Sequence, residues 1–227
     1  MRRRRIWLLI AGLPLALLLL VAVLPWSVFI PLVQSRAGAA LGRAVHIGDL
    51  QLDLGRTTRI VLADLRIANP DGFDPEPPLL HAERMTLDLD TGALLHGRIV
   101  LPQVEIAHPA LALLSPREGV ANYLLDLPMP SGEDGARGPQ IGLLRIQDGE
   151  ARLAIAHLGA DIRARFATQD AQDGGPPRLV AEAEGRYAGQ PITARFTGGA
   201  LLALRDGDAP WPVELRLANG PTRAIAT

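Results

Sequence analysis

The sequence predicts a mainly β protein: an N-terminal transmembrane helix followed by an elongated, antiparallel, repeating sheet with few short helices. Three observations predict it. Apolar residues recur at every second position through most of the chain, clusters of turn-forming residues separate these runs, and one twelve-residue pattern occurs twice. Period-two alternation marks strands with one apolar and one polar face, the pattern of antiparallel sheets.

The N-terminal element is the most apolar. Arg2 to Arg5 precede an uncharged run from Ile6 to Val33 that is dense in Leu, Val and Ile. About 20 helical residues cross a bilayer core, and this run is longer. Trp7 and Trp26 stand near its ends, where amphipathic rings favour the headgroup region. The excess of arginine before the run predicts a single pass with the N-terminus cytoplasmic and the body outside. Ala37-Gly38-Ala39 has the form of a signal-peptidase site, but signal-peptide apolar cores are only about 7–15 residues long. An uncleaved anchor is the expectation, with the small, Ala-rich segment Ser35 to Ala44 continuing it as a helix to Gly42. The chain then divides into 1–44 (basic tip, anchor and juxtamembrane helix) and a β-domain over 45–227.

Within the β-domain, Leu50, Leu52 and Leu54 alternate with Gln51 and Asp53, and Met85, Leu87 and Leu89 with Thr86, Asp88 and Asp90. Ile192, Ala194 and Phe196, then Val213, Leu215 and Leu217, repeat the theme. Turns are expected at Asn69 to Pro78, Pro128 to Pro139, Asp170 to Pro177 and Asp206 to Pro212. The helical candidates are Pro78 to Met85 and Gly119 to Leu125. The repeat is R-I-V-L-x-x-[LV]-x-I-A-x-P, from Arg59 to Pro70 and again from Arg98 to Pro109. Its apolar positions in the first copy are Ile60, Leu62, Leu65 and Ile67, so the alternation slips by one inside the motif. A bulge at the slip would keep both halves facing one way. Pro70 and Pro109, lacking the ladder N–H, are expected at strand ends. Ile141, Leu143 and Ile146 begin a weaker third copy.

A continuous apolar sheet face needs a cover. Few helices are available, which leaves a second sheet, as in a sandwich, or curvature around something apolar. The residues concerned are Met85, Leu87, Leu89, Ile99, Leu101, Val104 and Ile106.

Composition excludes many chemistries. All 23 basic residues are arginines, and cysteine is absent. There is thus no thiolate nucleophile, lysine Schiff base or P-loop lysine. A formal net charge of −1 argues against nucleic-acid binding. The five histidines (His46, His81, His96, His108 and His157) lack metal-site spacing, and none of the four serines sits in G-x-S-x-G. No enzymatic activity, catalytic residue, metal or cofactor is expected.

Several stretches, in their order and spacing, resemble the AsmA-like family of the Gram-negative envelope. They are Val45-His46-Ile47-Gly48-Asp49-Leu50, Leu62 through Phe73 and His81 through Leu87. Leu95-His96-Gly97-Arg98-Ile99 and Gly119-Val120-Ala121-Asn122-Tyr123 complete the set. The resemblance implies an inner-membrane anchor and a curved, taco-like periplasmic groove related to bridge-like lipid-transfer proteins. The seven apolar residues above would then line the groove against phospholipid acyl chains. It further implies a role in phospholipid transport or outer-membrane assembly, with the inner membrane and other envelope-assembly proteins as partners. The alternative is a membrane-tethered scaffold that influences protein targeting and closes into a dry sandwich. Family members are commonly longer, so the chain reads as a short member or an N-terminal piece.

Overall fold

The computed structural model describes residues 26–116, 119–124, 140–170, 175, 177–199 and 212–226. A 3-10 turn, Trp26–Phe29, leads into helix α1, Ile30–Leu41, with Pro31 in its first turn, where the missing N–H costs nothing. Gly42 ends the helix at φ 62°, a left-handed conformation that glycine adopts without Cβ strain. The chain therefore reverses, and strand β1 (Val45–Asp53) runs back along the helix. Trp26, Ile30 and Val33, spaced four and three apart, form one stripe that packs on the sheet.

This corrects the expected extent of the anchor. Residues 6–25 lie outside the described residues, but Trp26 to Val33 belong to the body. The helix itself ends at Leu41 with Gly42 as its C-cap, as expected. Among the described residues no helix is long and apolar enough to cross a membrane.

The remaining elements are β2 (Thr57–Ile67), β3 (Leu80–Asp90), the short helix α2 (Thr91–Leu95), β4 (Val100–Ser115), β5 (Gln140–Gln147) and β6 (Gly149–Ile155). A 3-10 turn, Ala156–Leu158, precedes β7 (Ala160–Gln169), β8 (Arg178–Tyr187), β9 (Gln190–Gly198), β10 (Val213–Asn219) and β11 (Thr222–Ala226). All eleven join one curved, unclosed sheet in the order β1-β2-β3-β4-β6-β7-β8-β9-β10-β11, with β5 also against β4. A sandwich is therefore not what the described strands build.

Two further expectations are corrected. The sheet is not wholly antiparallel, because β4 pairs parallel with both β5 and β6. Such a step needs a long connection, which residues 116–139 supply. Of the two helical candidates, Leu80 onward is strand, and residues 119–124 form a turn without a helix.

The slip in the alternation is a crease crossing the sheet. The ladders skip the opposed positions Gly48 and Asp64, then Asp64 and Glu83, then Glu83 and His108. Between β4 and the β5–β6 strand they skip His108 and Pro109 against Asp148 and Gly149. Asp64, His108 and Asp148 hold φ of 50°, 49° and 46°, a region that aspartate and histidine tolerate better than most residues. Each skipped position flips the alternation, so Ile47 and Leu50, Leu62 and Leu65, and Ala82 and Met85 keep one face. Gly48 suits this close approach: a Cβ there would stand 3.0 Å from that of Asp64.

The repeat copies occupy β2 and β4, with β3 between them, and each is interrupted near its slip: at Asp64 and at Pro102, where the β4–β5 ladder misses Pro102 and Gly142. The copies are staggered, however. Asp64 faces His108 across β3, not Gln103. Pro70 lies beyond the end of β2, as expected, whereas Pro109 is buried within β4. It stands where the ladder is already broken, so its missing N–H leaves no bond unmade.

Candidate apolar face and its charged reverse

Residues paired directly across a ladder share a face. Ile60, Leu87, Val104 and Leu144 form one apolar row, and Leu62, Met85, Ile106 and Ile146 the next. Of the seven groove candidates, Met85, Leu87, Val104 and Ile106 lie in these rows, and Leu89, also on β3, pairs with Thr58. Leu101 pairs with Ile141, beyond the interruption at Pro102. Ile99 is not on a strand at all. It precedes β4 and is 44% exposed at the end of the sheet.

This part of the face is partly covered. Ile47, Leu50, Leu62, Leu65 and Ala82 form a buried cluster, and Trp26, Ile30 and Val33 of the N-terminal helix pack against it, as do Met85, Leu87 and Ile106. The stripe read as membrane anchor is therefore the cover for β1 and its neighbours.

Beyond β4 the same face continues without a second layer among the described residues. Leu111, Ala151, Ala164, Ala183, Ala194 and Leu217 form one row across six strands. On one side of it run Leu153, Ile162, Gly185 and Ile192, and on the other Gly149, Phe166, Ala181, Phe196 and Leu215. The middle row is mostly alanine. It forms a furrow perpendicular to the strands, between ridges of larger aliphatic and aromatic groups.

The opposite face is charged. Glu150, Arg165, Glu182, Arg195 and Arg216 form one row, and Arg152, Arg163, Glu184 and Thr193 another. Arg195 bonds Glu182 at 2.6 Å, Arg152 bonds Asp161 at 3.0 Å, and Arg165 approaches Glu150 at 3.7 Å. These rows wall a trough of about 1110 Å³, which Pro77 and Pro78 border at one end. Ala151, Ala164, Ala183 and Ala194, the strand positions between the rows, also line it. A smaller hollow of about 370 Å³ lies on the charged side of β1–β4, where Arg59 grips Asp88 through two hydrogen bonds of 2.8 and 3.0 Å. That grip holds the Asp88 carboxyl below its ordinary range, and Arg152 does the same to Asp161. The arginines and glutamates were visible in the sequence, but their lateral pairing depends on the register.

The histidines at the crease are partnered too. His81 Nε2 lies 2.9 Å from Asp64 Oδ1, and His108 Nδ1 lies 3.0 Å from Glu83 Oε2. Arg66, also 2.9 Å from Asp64, is the main cause of the lowered pKa of that carboxyl.

Two of the stretches that carried the family resemblance, Leu62 through Phe73 and Gly119 through Tyr123, meet at the opposite end of the sheet from Ile99. Asn122, fully buried, donates to Asn69 Oδ1 at 2.9 Å and to the Ala112 carbonyl at 2.7 Å, and accepts from the Leu114 N–H at 2.7 Å. Asn69 in turn donates to the carbonyls of Asp74 and Pro77, holding its loop. Arg43 donates to the Leu124 carbonyl at 2.9 Å. Loops from three parts of the chain are thereby fastened to the end of β4.

These features define a class: a single-layer, unclosed β-sheet protein with a helix over one end of its apolar face and a charged reverse. The AsmA family model matches residues 1–137, and the chain belongs to the AsmA family. It is also similar to the AsmA family protein YhjG of Escherichia coli (strain K12), at 24% identity over 240 aligned positions. That alignment takes in 91% of this chain and 35% of YhjG, so the chain spans about a third of its relative's length. No solved structure matches.

Proposed function

We propose that the protein serves the cell envelope by holding phospholipid acyl chains on the open part of its apolar face, anchored in the inner membrane with its body periplasmic. The alanine furrow across β6 to β9 carries this reading. Adjacent same-face rows on a strand stand about 7 Å apart, so the two ridges leave room for an alkyl chain over the alanines. A bare apolar face of this extent, on a sheet whose reverse is solvated by arginine and glutamate, requires an apolar occupant. An acyl chain suits it better than a fixed protein layer, because the furrow runs unbroken from strand to strand. The function is non-enzymatic in this reading, since the face offers aliphatic surface and no reacting group.

The test uses adjacent residues on opposite faces. A photoreactive benzoylphenylalanine is placed at Phe166 in one variant and at Arg165 in another, in the full chain in its native envelope. Phospholipid cross-links at position 166, several-fold above those at 165, are the expected result. Equal labelling at the two positions would refute the reading.

A further inference from the structure

The end of the sheet from which Trp26 leads back into the apolar N-terminal sequence carries an unusual tip. The reversal at Gly42 puts the start of the helix at the end of β1, beside the β1–β2 turn. Helix α2 lies at the same end, because β3 runs antiparallel to β2 and Thr57 pairs with Asp90. Thr91 fastens the two connections together, its hydroxyl donating to the Gly55 carbonyl at 2.7 Å and its N–H to that of Arg56 at 3.2 Å. From this joined tip project Leu54 (51% exposed), Leu94 (45%), Leu95 (82%) and Ile99. Arg56 and Arg98 flank them, and neither forms an ion pair among the described residues. The acidic groups nearby are Asp53, at the end of β1, and Asp90, which caps α2 by accepting the Ala93 N–H at 2.8 Å.

We infer that this tip is a second membrane contact: the four aliphatic side chains enter the interfacial zone of the bilayer that the N-terminal segment crosses, with Arg56 and Arg98 at the level of anionic headgroups. The inference rests on the anchored reading above and adds to it where the body touches lipid and in which orientation. Leucines with unpaired arginines at their margin are the composition that partitions into a lipid interface. The uncharged sequence Ile6 to Pro25 adjoins Trp26 at this same end, so a bilayer holding it would face the tip. At the opposite end Val120, Tyr123 and Leu124 are also exposed, but their arginine, Arg43, is already engaged with backbone carbonyls. Strands β1 to β3 would then point their β1–β2-turn ends at the membrane, and the furrow, which crosses the strands, would run along it.

The chain has no cysteine, which makes single-site labelling direct. The full chain carrying Leu95→Cys with an environment-sensitive nitrobenzoxadiazole label is reconstituted into vesicles of phosphatidylethanolamine and phosphatidylglycerol. Quenching by shallow spin-labelled lipid is measured and compared with that of a Val120→Cys chain. The expected result is quenching several-fold greater at 95 than at 120, with Leu54→Cys behaving like 95. Flotation with the vesicles reports the anchor separately. A chain that floats but is quenched equally at both positions, or more at 120, overturns the tip and leaves the anchor standing. A chain that does not float overturns both.

Discussion

Asn122 is where a single substitution should cost most for the fewest atoms removed. Truncation to alanine takes away a side-chain oxygen that accepts the Leu114 N–H and a nitrogen that donates to Asn69 and the Ala112 carbonyl. The site is fully buried, so water cannot replace these partners without opening it. A buried polar group left unpaired costs about 1–3 kcal/mol. Two backbone groups are orphaned, while the Asn122 N–H keeps its bond to the Leu114 carbonyl. The net loss should be about 2–4 kcal/mol, discounting for relaxation of the 119–124 turn. At roughly 2–4 °C per kcal/mol for a chain of this size, Tm should fall by about 5–15 °C. Chemical unfolding of Asn122→Ala beside wild type measures the loss, and hydrogen exchange at the Leu114 amide localises it. Asn122→Asp keeps the acceptor but sets a carboxylate against the Ala112 carbonyl and Asn69 Oδ1, and should be no better tolerated. A loss below about 0.5 kcal/mol with Leu114 still protected would show that the hydrogen bonds do not fasten the loops.

Two other outcomes follow from local geometry. The Asp88 pKa is lowered by Arg59, so the pair stabilises the folded chain above the ordinary aspartate range, near 3.8, and less as pH falls below it. Wild type should therefore exceed Asp88→Asn in unfolding midpoint at pH 7, and the gap should close toward pH 3; a pH-independent gap would refute the assignment. The β8–β9 hairpin turns through Ala188 and Gly189, both at positive φ (48° and 78°), a two-residue turn that favours Asn-Gly. Ala188→Asn should raise stability by about 0.5–1 kcal/mol in urea unfolding, and a decrease would contradict the turn type.

The alternation of apolar and polar residues was enough to find β1, β3, β9 and β10, because one solvated face makes the period visible. The slip inside the repeat likewise announced the crease at Asp64. Period two is the same in parallel and antiparallel strands, though, so nothing in β4, β5 or β6 signalled their parallel pairing. That follows from the long 116–139 connection, whose composition marks a turn without saying where the chain returns. Pro109 misled for a related reason. Its missing N–H matters only where a ladder bond would have formed, and the register put it at a break. The Trp26, Ile30 and Val33 stripe is equally suited to lipid or to a sheet, and an uncharged run carries no mark where the bilayer would give way to protein.

The candidate face shows the same division between what a residue is and where the register sets it. Met85, Leu87, Val104 and Ile106 could be assigned to one face from their spacing, but the helix that partly covers their end of the sheet could not. In the sequence the alanines at 151, 164 and 183 are isolated small residues in separate strands, and Ala194 is one step of an alternation. Once the ladders align them, they become the floor of a furrow whose walls are Leu153, Ile162 and Ile192 on one side and Phe166, Phe196 and Leu215 on the other. The same alignment brings Arg195 to Glu182 and Arg165 to Glu150 on the reverse. Each strand contributes an arginine or glutamate to one side and an alanine or larger apolar group to the other. Cross-strand ion pairs favour this register, because a one-residue slip of any strand would set charges among the alanines. The charged face thus helps define the apolar one. An open sheet can then keep a smooth furrow from strand to strand without a second layer to hold its register.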